Sequence, residues 1–147
     1  SRMAEAMTLM DSIAKAQRRK FMQTNRYAET FEGLDVSPKG ATGGSYYTKG
    51  DPRTGRGGNG FWITMNGGGG FSSDHLRTFR MVDGNYHHPS LQYQYGLIRF
   101  YQSDNTTCWG ITQAGRELCA DFCGIDTPVE SCCNDGTSRR CPDPTDN

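Results

Sequence analysis

Apolar side chains at Met3, Ala6, Met7, Met10, Ile13, Ala14 and Phe21, with Gln17 set among them, recur at helical spacing and predict an amphipathic helix over Met3–Met22. One face of it is suited to packing on a sheet. Asp11 and Lys15 are four apart and placed to pair, and Arg18, Arg19 and Lys20 load the last turns where the helix dipole favours cations. Asn25 can end the helix in a left-handed conformation. Further on the period changes to two. Phe61, Ile63 and Met65 alternate with Trp62, Thr64 and Asn66; Leu76 to Val82 ends at the turn signal Asp83-Gly84; and Leu91 to Tyr101 shifts phase at Ile98 and Phe100, which predicts a bulge near Gly96. A fourth strand is expected over Thr106–Thr112, and a short helix over Gln113–Phe122 closed by Gly124. The segment 37–60 is broken by glycine and proline into a surface loop with room for a short strand at Ser45–Thr48, and 125–147 reads as a polar tail. The pattern as a whole predicts an α+β domain, a helix packed on an antiparallel sheet of about four strands.

At 147 residues the chain fits one domain, and 34% hydrophobic residues with 19 glycines make it loop-rich. Sixteen acidic and sixteen basic side chains cancel, which argues against a nucleic-acid footprint driven by net charge. No stretch approaches the roughly twenty apolar residues that span a bilayer. The chain starts at Ser1 without an initiator Met, so an exporting or anchoring segment is expected upstream of it. All six cysteines, Cys108, Cys119, Cys123, Cys132, Cys133 and Cys141, lie in the polar C-terminal part; an even count there reads as a disulfide framework formed outside the reducing cytoplasm. A zinc site is the alternative, since Cys119-x3-Cys123 can be forced toward ligand spacing. Direct bonds between the neighbours Cys132 and Cys133, or along one helix turn between Cys119 and Cys123, are disfavoured, and the remaining pairings stay open.

Catalytic chemistry finds little support. His75, His87 and His88 have no nucleophile in a recognisable setting, and the run Gly67 to Gly70 lacks the Gly-Lys-Ser/Thr of a phosphate cradle. Tyr93, Tyr95, Phe100 and Tyr101 with Arg77, Arg80 and Arg99 have the composition of a single-strand platform, yet half of those positions must face a core. Asn105-Thr106-Thr107 fits the short glycosylation pattern. The expectation is a protein that is not an enzyme and uses no cofactor or metal.

The opening residues carry a resemblance. Ser1 to Met10 and Ile13-Ala14-Lys15-Ala16-Gln17, then Phe21-Met22, Asn25-Arg26-Tyr27-Ala28 and Phe31-Glu32-Gly33-Leu34-Asp35-Val36, resemble the part of a bacterial type IV pilin where the long N-terminal helix leaves the filament core and joins the globular head. Cys108-Trp109-Gly110 and Leu118-Cys119 resemble the family's Cys-Trp-Ala and final-helix cysteine. Arg26 stands where many relatives have glycine, and four cysteines beyond that pair depart from the usual pattern. The resemblance implies a homopolymeric surface filament for adhesion, motility or DNA uptake, assembled by inner-membrane machinery, with the membrane met only through a segment preceding Ser1. It implies a subunit-contact helix, with Arg2, Met3, Glu5, Met7, Met10, Arg18 and Arg19 as candidates, and a Cys108–Cys119 bridge. Cys123 is then left to pair with Cys132 or Cys133, and Cys141 with the other. A major pseudopilin of type II secretion and a secreted, disulfide-stapled binding module are the alternatives.

Overall fold

The computed structural model describes residues 2–48, 60–66, 70–71, 73–82 and 93–144. The loop 49–59, the glycines 67–69, the Asp83-Gly84 turn and the pair His87-His88 lie outside the described residues. Helix α1 runs Arg2–Thr24 and buries Ala6, Met10, Ile13, Ala14, Ala16 and Gln17, the face that the apolar spacing predicts. Asn25 ends it with φ 62°, and its N–H reaches back to the Phe21 carbonyl at 2.7 Å. The chain then folds back on the helix: Tyr27 stacks on Phe21 at 4.8 Å between ring centroids and meets Tyr101 at the same distance.

Six strands, rather than about four, form one antiparallel sheet in sequential order: β1 (Ser45–Tyr47), β2 (Phe61–Asn66), β3 (His75–Met81), β4 (Tyr93–Phe100), β5 (Thr107–Gly110) and β6 (Ser131–Cys133). Both added strands are edges of three residues. β1 is the short strand foreseen inside the loop. β6 falls in what the sequence presents as a featureless tail. Helix α2 (Gln113–Cys123) joins β5 to the segment before β6; its Thr112 cap accepts the Gly115 N–H, and Gly124 closes it at φ 75°.

The core lies between α1 and one sheet face, where Ile63, Met65, Leu76, Tyr95, Leu97 and Cys108 meet Met10, Ile13 and Phe31. The opposite face carries a smaller cluster of Phe79, Met81 and Tyr93 with Trp62 and Trp109 packed on it. Here the predicted bulge is corrected. The register shifts between Arg80 and Met81, whose partners are Tyr95 and Tyr93, so the extra residue is Gln94 and not Gly96. Gly96 instead seats a ring, because a β-carbon there would lie 3.1 Å from Phe79. The bulge turns the Gln94 carbonyl toward α2, where it accepts the N–H groups of Ile111 at 3.1 Å and Thr112 at 3.2 Å.

Among the buried polar groups, the hydroxyls of Thr78, Tyr101 and Thr106 have no hydrogen-bond partner, whereas Gln17 and Arg99 are paired. Gln17, fully buried, donates from Nε2 to the Ala28 carbonyl at 2.9 Å and accepts the Ala28 N–H at 2.8 Å. It acts as a substitute strand edge for the returning chain. Replacing it by Leu would leave both Ala28 groups buried without partners, so Gln17→Leu should cost about 2–4 kcal/mol despite the similar volume. Urea unfolding followed by circular dichroism checks this; an unchanged midpoint would remove the role given to Gln17. The expected Asp11–Lys15 pair gives way to a longer-range one: Asp11 accepts from the guanidinium of Arg99, whose side chain is only 4% exposed. A buried guanidinium needs a counter-charge far more than an exposed ammonium does.

Two buried tyrosines set the alkaline limit of the fold. Burial pushes the Tyr95 phenol up to about 12 and raises Tyr101 as well. The unfolded phenols ionise near 10, so the native state holds the extra protons above that pH. Stability should be full below about pH 10 and fall as pH rises toward 12. Phenolate absorbance monitored beside circular dichroism should show these two groups ionising with unfolding. Their ionisation at an ordinary pH in a still-folded chain would contradict the packing.

Candidate interaction surface

The exposed surface of α1 and the disulfide-tied C-terminal region are the two places where chemistry gathers. Along α1 the structure separates the seven predicted contact residues. Met10 is fully buried, so it belongs to the core and not to a subunit surface. Arg18 is spent inside the head: its guanidinium donates to the carbonyls of Tyr101 and of Ser103, the latter at 2.8 Å, and pairs with Asp104 at 3.0 Å. Arg19 grips Asp35 in a two-pronged contact, both bonds 2.7 Å, and this guanidinium holds the Asp35 carboxyl below its usual range. These arginines tie the helix end to the β4–β5 turn and to the returning chain. Sequence alone gave no means of finding either partner, which lie 86 and 16 residues away.

Arg2, Met3, Glu5 and Met7 occupy the first two turns, with Arg2 and Glu5 exposed and the methionines half-buried. Arg2, Met3 and Met7 line an open groove of about 580 Å³ that continues over Tyr95 of β4 and Leu118 and Phe122 of α2. Its walls are mainly apolar, with Arg80 and Asp121 also lining it. Leu118, 40% exposed, is one of few large apolar side chains so open to solvent among the described residues. This end of the helix, rather than its whole length, presents material for contact.

All six cysteines are bridged. Cys108 joins Cys119, tying β5 to α2; Cys123 joins Cys132, and Cys133 joins Cys141, with Cα–Cα distances of 5.4, 6.2 and 4.9 Å. The first pairing is the one that the resemblance implies, and the choice left open there falls to Cys123 with Cys132. The three-residue strand β6 pairs with β5 through its backbone, and its two cysteines tie it to α2 by Cys123–Cys132 and to the tail by Cys133–Cys141. Among the described residues no group of three His, Cys, Asp or Glu side chains is placed to hold a metal ion.

The residues considered as a single-strand platform divide between faces. Tyr95, Arg99 and Tyr101 are buried on the helix side, while Arg77 is exposed and Phe100 half-buried on the other. Asn105 is exposed in the β4–β5 turn, whereas Thr107, two residues on, is buried with its hydroxyl accepting the Cys141 N–H at 2.9 Å. No helix among the described residues is long and apolar enough to cross a membrane. Comparison with protein-family models, with curated proteins and with solved structures finds no match to this chain.

Proposed function

We propose that this chain is the head domain of a filament subunit of the type IV pilin kind, a structural protein that polymerises with its own copies into a surface fibre. The observation that carries the reading is the order of parts around one long helix. A 23-residue helix lays a single apolar stripe across an antiparallel meander, and the fifth strand is tied by Cys108–Cys119 to the helix that follows it. That is the order implied by Asn25-Arg26-Tyr27-Ala28, Phe31 to Val36 and Cys108-Trp109-Gly110.

In this reading the contacts between neighbouring subunits are made by the first turns of α1, where Arg2 and Glu5 are exposed and Met3 and Met7 line the apolar groove. The bridges suit a head that must stay folded outside the cell, where no chaperone repairs it. Polymerisation is assigned to residues preceding Ser1, so the head by itself is expected to be monomeric in light scattering at high concentration. The test of the function is the coding sequence upstream of Ser1. The reading expects a short basic leader, a processing glycine, then Phe and about twenty apolar residues with one Glu near their start. An upstream region without such a run would overturn it.

A further inference from the structure

In a filament the first turns of α1 meet a surface on the neighbouring subunit, and the exposed apolar side chains single that surface out. Among the described residues four large ones are open to solvent: Met22 at 84%, Phe71 at 69%, Val36 at 49% and Leu118 at 40%. They fall into two groups at opposite ends of α1, whose 23 residues span about 35 Å.

Leu118 belongs to the near end. It stands in the groove of about 580 Å³ between the start of α1 and α2, with Met3, Met7 and Phe122 around it. The other three belong to the far end. Met22 lies in the last turn of α1, and Val36 follows Asp35, which Arg19 holds against the helix. Phe71 is brought there by Gly70: a β-carbon on Gly70 would lie 3.0 Å from the Asn25 carbonyl oxygen and 3.5 Å from the Phe21 ring, so the backbone rests on the helix end. The Phe71 carbonyl accepts the Asp74 N–H, and the Asp74 carbonyl accepts the Tyr101 N–H, both at 3.0 Å, which fixes this segment to the chain leaving β4. Met22 and Gly70 also flank a cleft of about 530 Å³ with Phe21 and Tyr27 in its walls.

Apolar side chains gathered at the surface in this way mark a contact. Their division between two ends selects the partner. Two copies joined groove to groove about a two-fold axis would leave Met22 and Phe71 in water. Copies related by translation along α1 bring the far end of one against the near end of the next and cover both groups, and a contact between two different patches always leaves one of each free to repeat. Zero net charge removes long-range repulsion between copies. Resting on the filament reading, we infer that the groove beside Met3, Met7 and Leu118 receives Met22 and Phe71 of the next copy in a head-to-tail contact. Its volume lies in the range that encloses a drug-sized molecule and accommodates both side chains. So small a contact has a dissociation constant of roughly several millimolar, and the isolated head stays monomeric; copies aligned in a fibre meet at a far higher effective concentration.

The test is NMR on the 147-residue chain, with backbone amides and methionine methyl groups followed as its concentration rises from about 0.05 to about 2 mM. Signals of Met3, Met7, Leu118 and Phe122 should move together with those of Met22 and Phe71. Met22→Glu and Leu118→Glu, both at exposed positions, should each weaken this self-association about tenfold with an unchanged melting temperature. Leu118→Gln takes the place of Leu118→Glu if the added charge disturbs α2. Mixing the two variants should restore the contact by halves: labelled Met22→Glu with unlabelled Leu118→Glu moves only the groove signals, and the reverse labelling moves only those of the far end. Signals that do not change with concentration, changes confined to one end as in a two-fold dimer, or no restoration on mixing would each overturn the assignment. The filament reading is decided separately, by the residues encoded upstream of Ser1, so either can fail while the other stands.

Discussion

Reduction of the three disulfides is expected to release the segment from Gly124 to Pro144 while α1 and the sheet from β1 to β5 stay folded. The bridges close loops with sequence separations of 11, 9 and 8. Chain entropy makes each worth about 2.5–3 kcal/mol, and removing them all approaches the whole stability of a small domain. The loss is unevenly spread. The released segment offers to the core only the half-buried Ile125 and Val129 besides its cysteines, and is otherwise held by the three-residue pairing of β6 with β5 and by backbone contacts such as the Gly110 N–H to the Glu130 carbonyl at 2.8 Å. The remainder keeps Met10, Ile13, Phe31, Leu76, Tyr95 and Leu97 packed together. Hydrogen exchange with and without reductant should show new exchange confined to that segment. Uniform loss of protection across α1 and β2–β4 would mean that the bridges hold the core itself.

The second large effect is expected at Gly115, in the first turn of α2. A β-carbon there would lie 1.7 Å from the Gln94 carbonyl oxygen, a backbone atom with no rotamer to escape into. The same oxygen receives the N–H groups of Ile111 and Thr112, so it cannot retreat without breaking the link between β4 and α2. Gly115→Ala should therefore cost about 3 kcal/mol or more, although alanine is the better helix former. Gly124→Ala, at a left-handed position with open space around it, should cost less, about 1 kcal/mol. Chemical unfolding of the two variants side by side measures the difference. A Gly115→Ala variant within about 1 kcal/mol of the parent would show that the helix does not approach the strand so closely.

The helices were legible because their signals are local. The stripe from Ala6 to Gln17 repeats over about three turns, and Asn25 and Gly124 mark the two helix ends by their tolerance of positive φ. The strands β2 to β5 were legible in number and order but blurred at their edges, because Phe79, Tyr93 and Trp109 build a second cluster on the outer face and spoil strict alternation. What depends on distant partners left no local trace. β6 has its partners in Thr107 of β5 and in Cys123 and Cys141; the bulge at Gln94 serves α2; and Arg18 and Arg19 read as surface charges until Asp104 and Asp35 are brought beside them. Met10 was misplaced for a related reason, since a stripe tells which residues share a face but not how far along the helix that face is covered.

The central claim is that this chain is a filament subunit, and the most direct measurement is made on cells that carry the gene. Fibres sheared from the cell surface, purified and analysed by electron microscopy and intact-mass spectrometry, should contain this polypeptide as their main component, with its six cysteines oxidised and an apolar segment leading into Arg2. Recovery of the chain only as a soluble monomer, absent from every fibre preparation, would contradict the account.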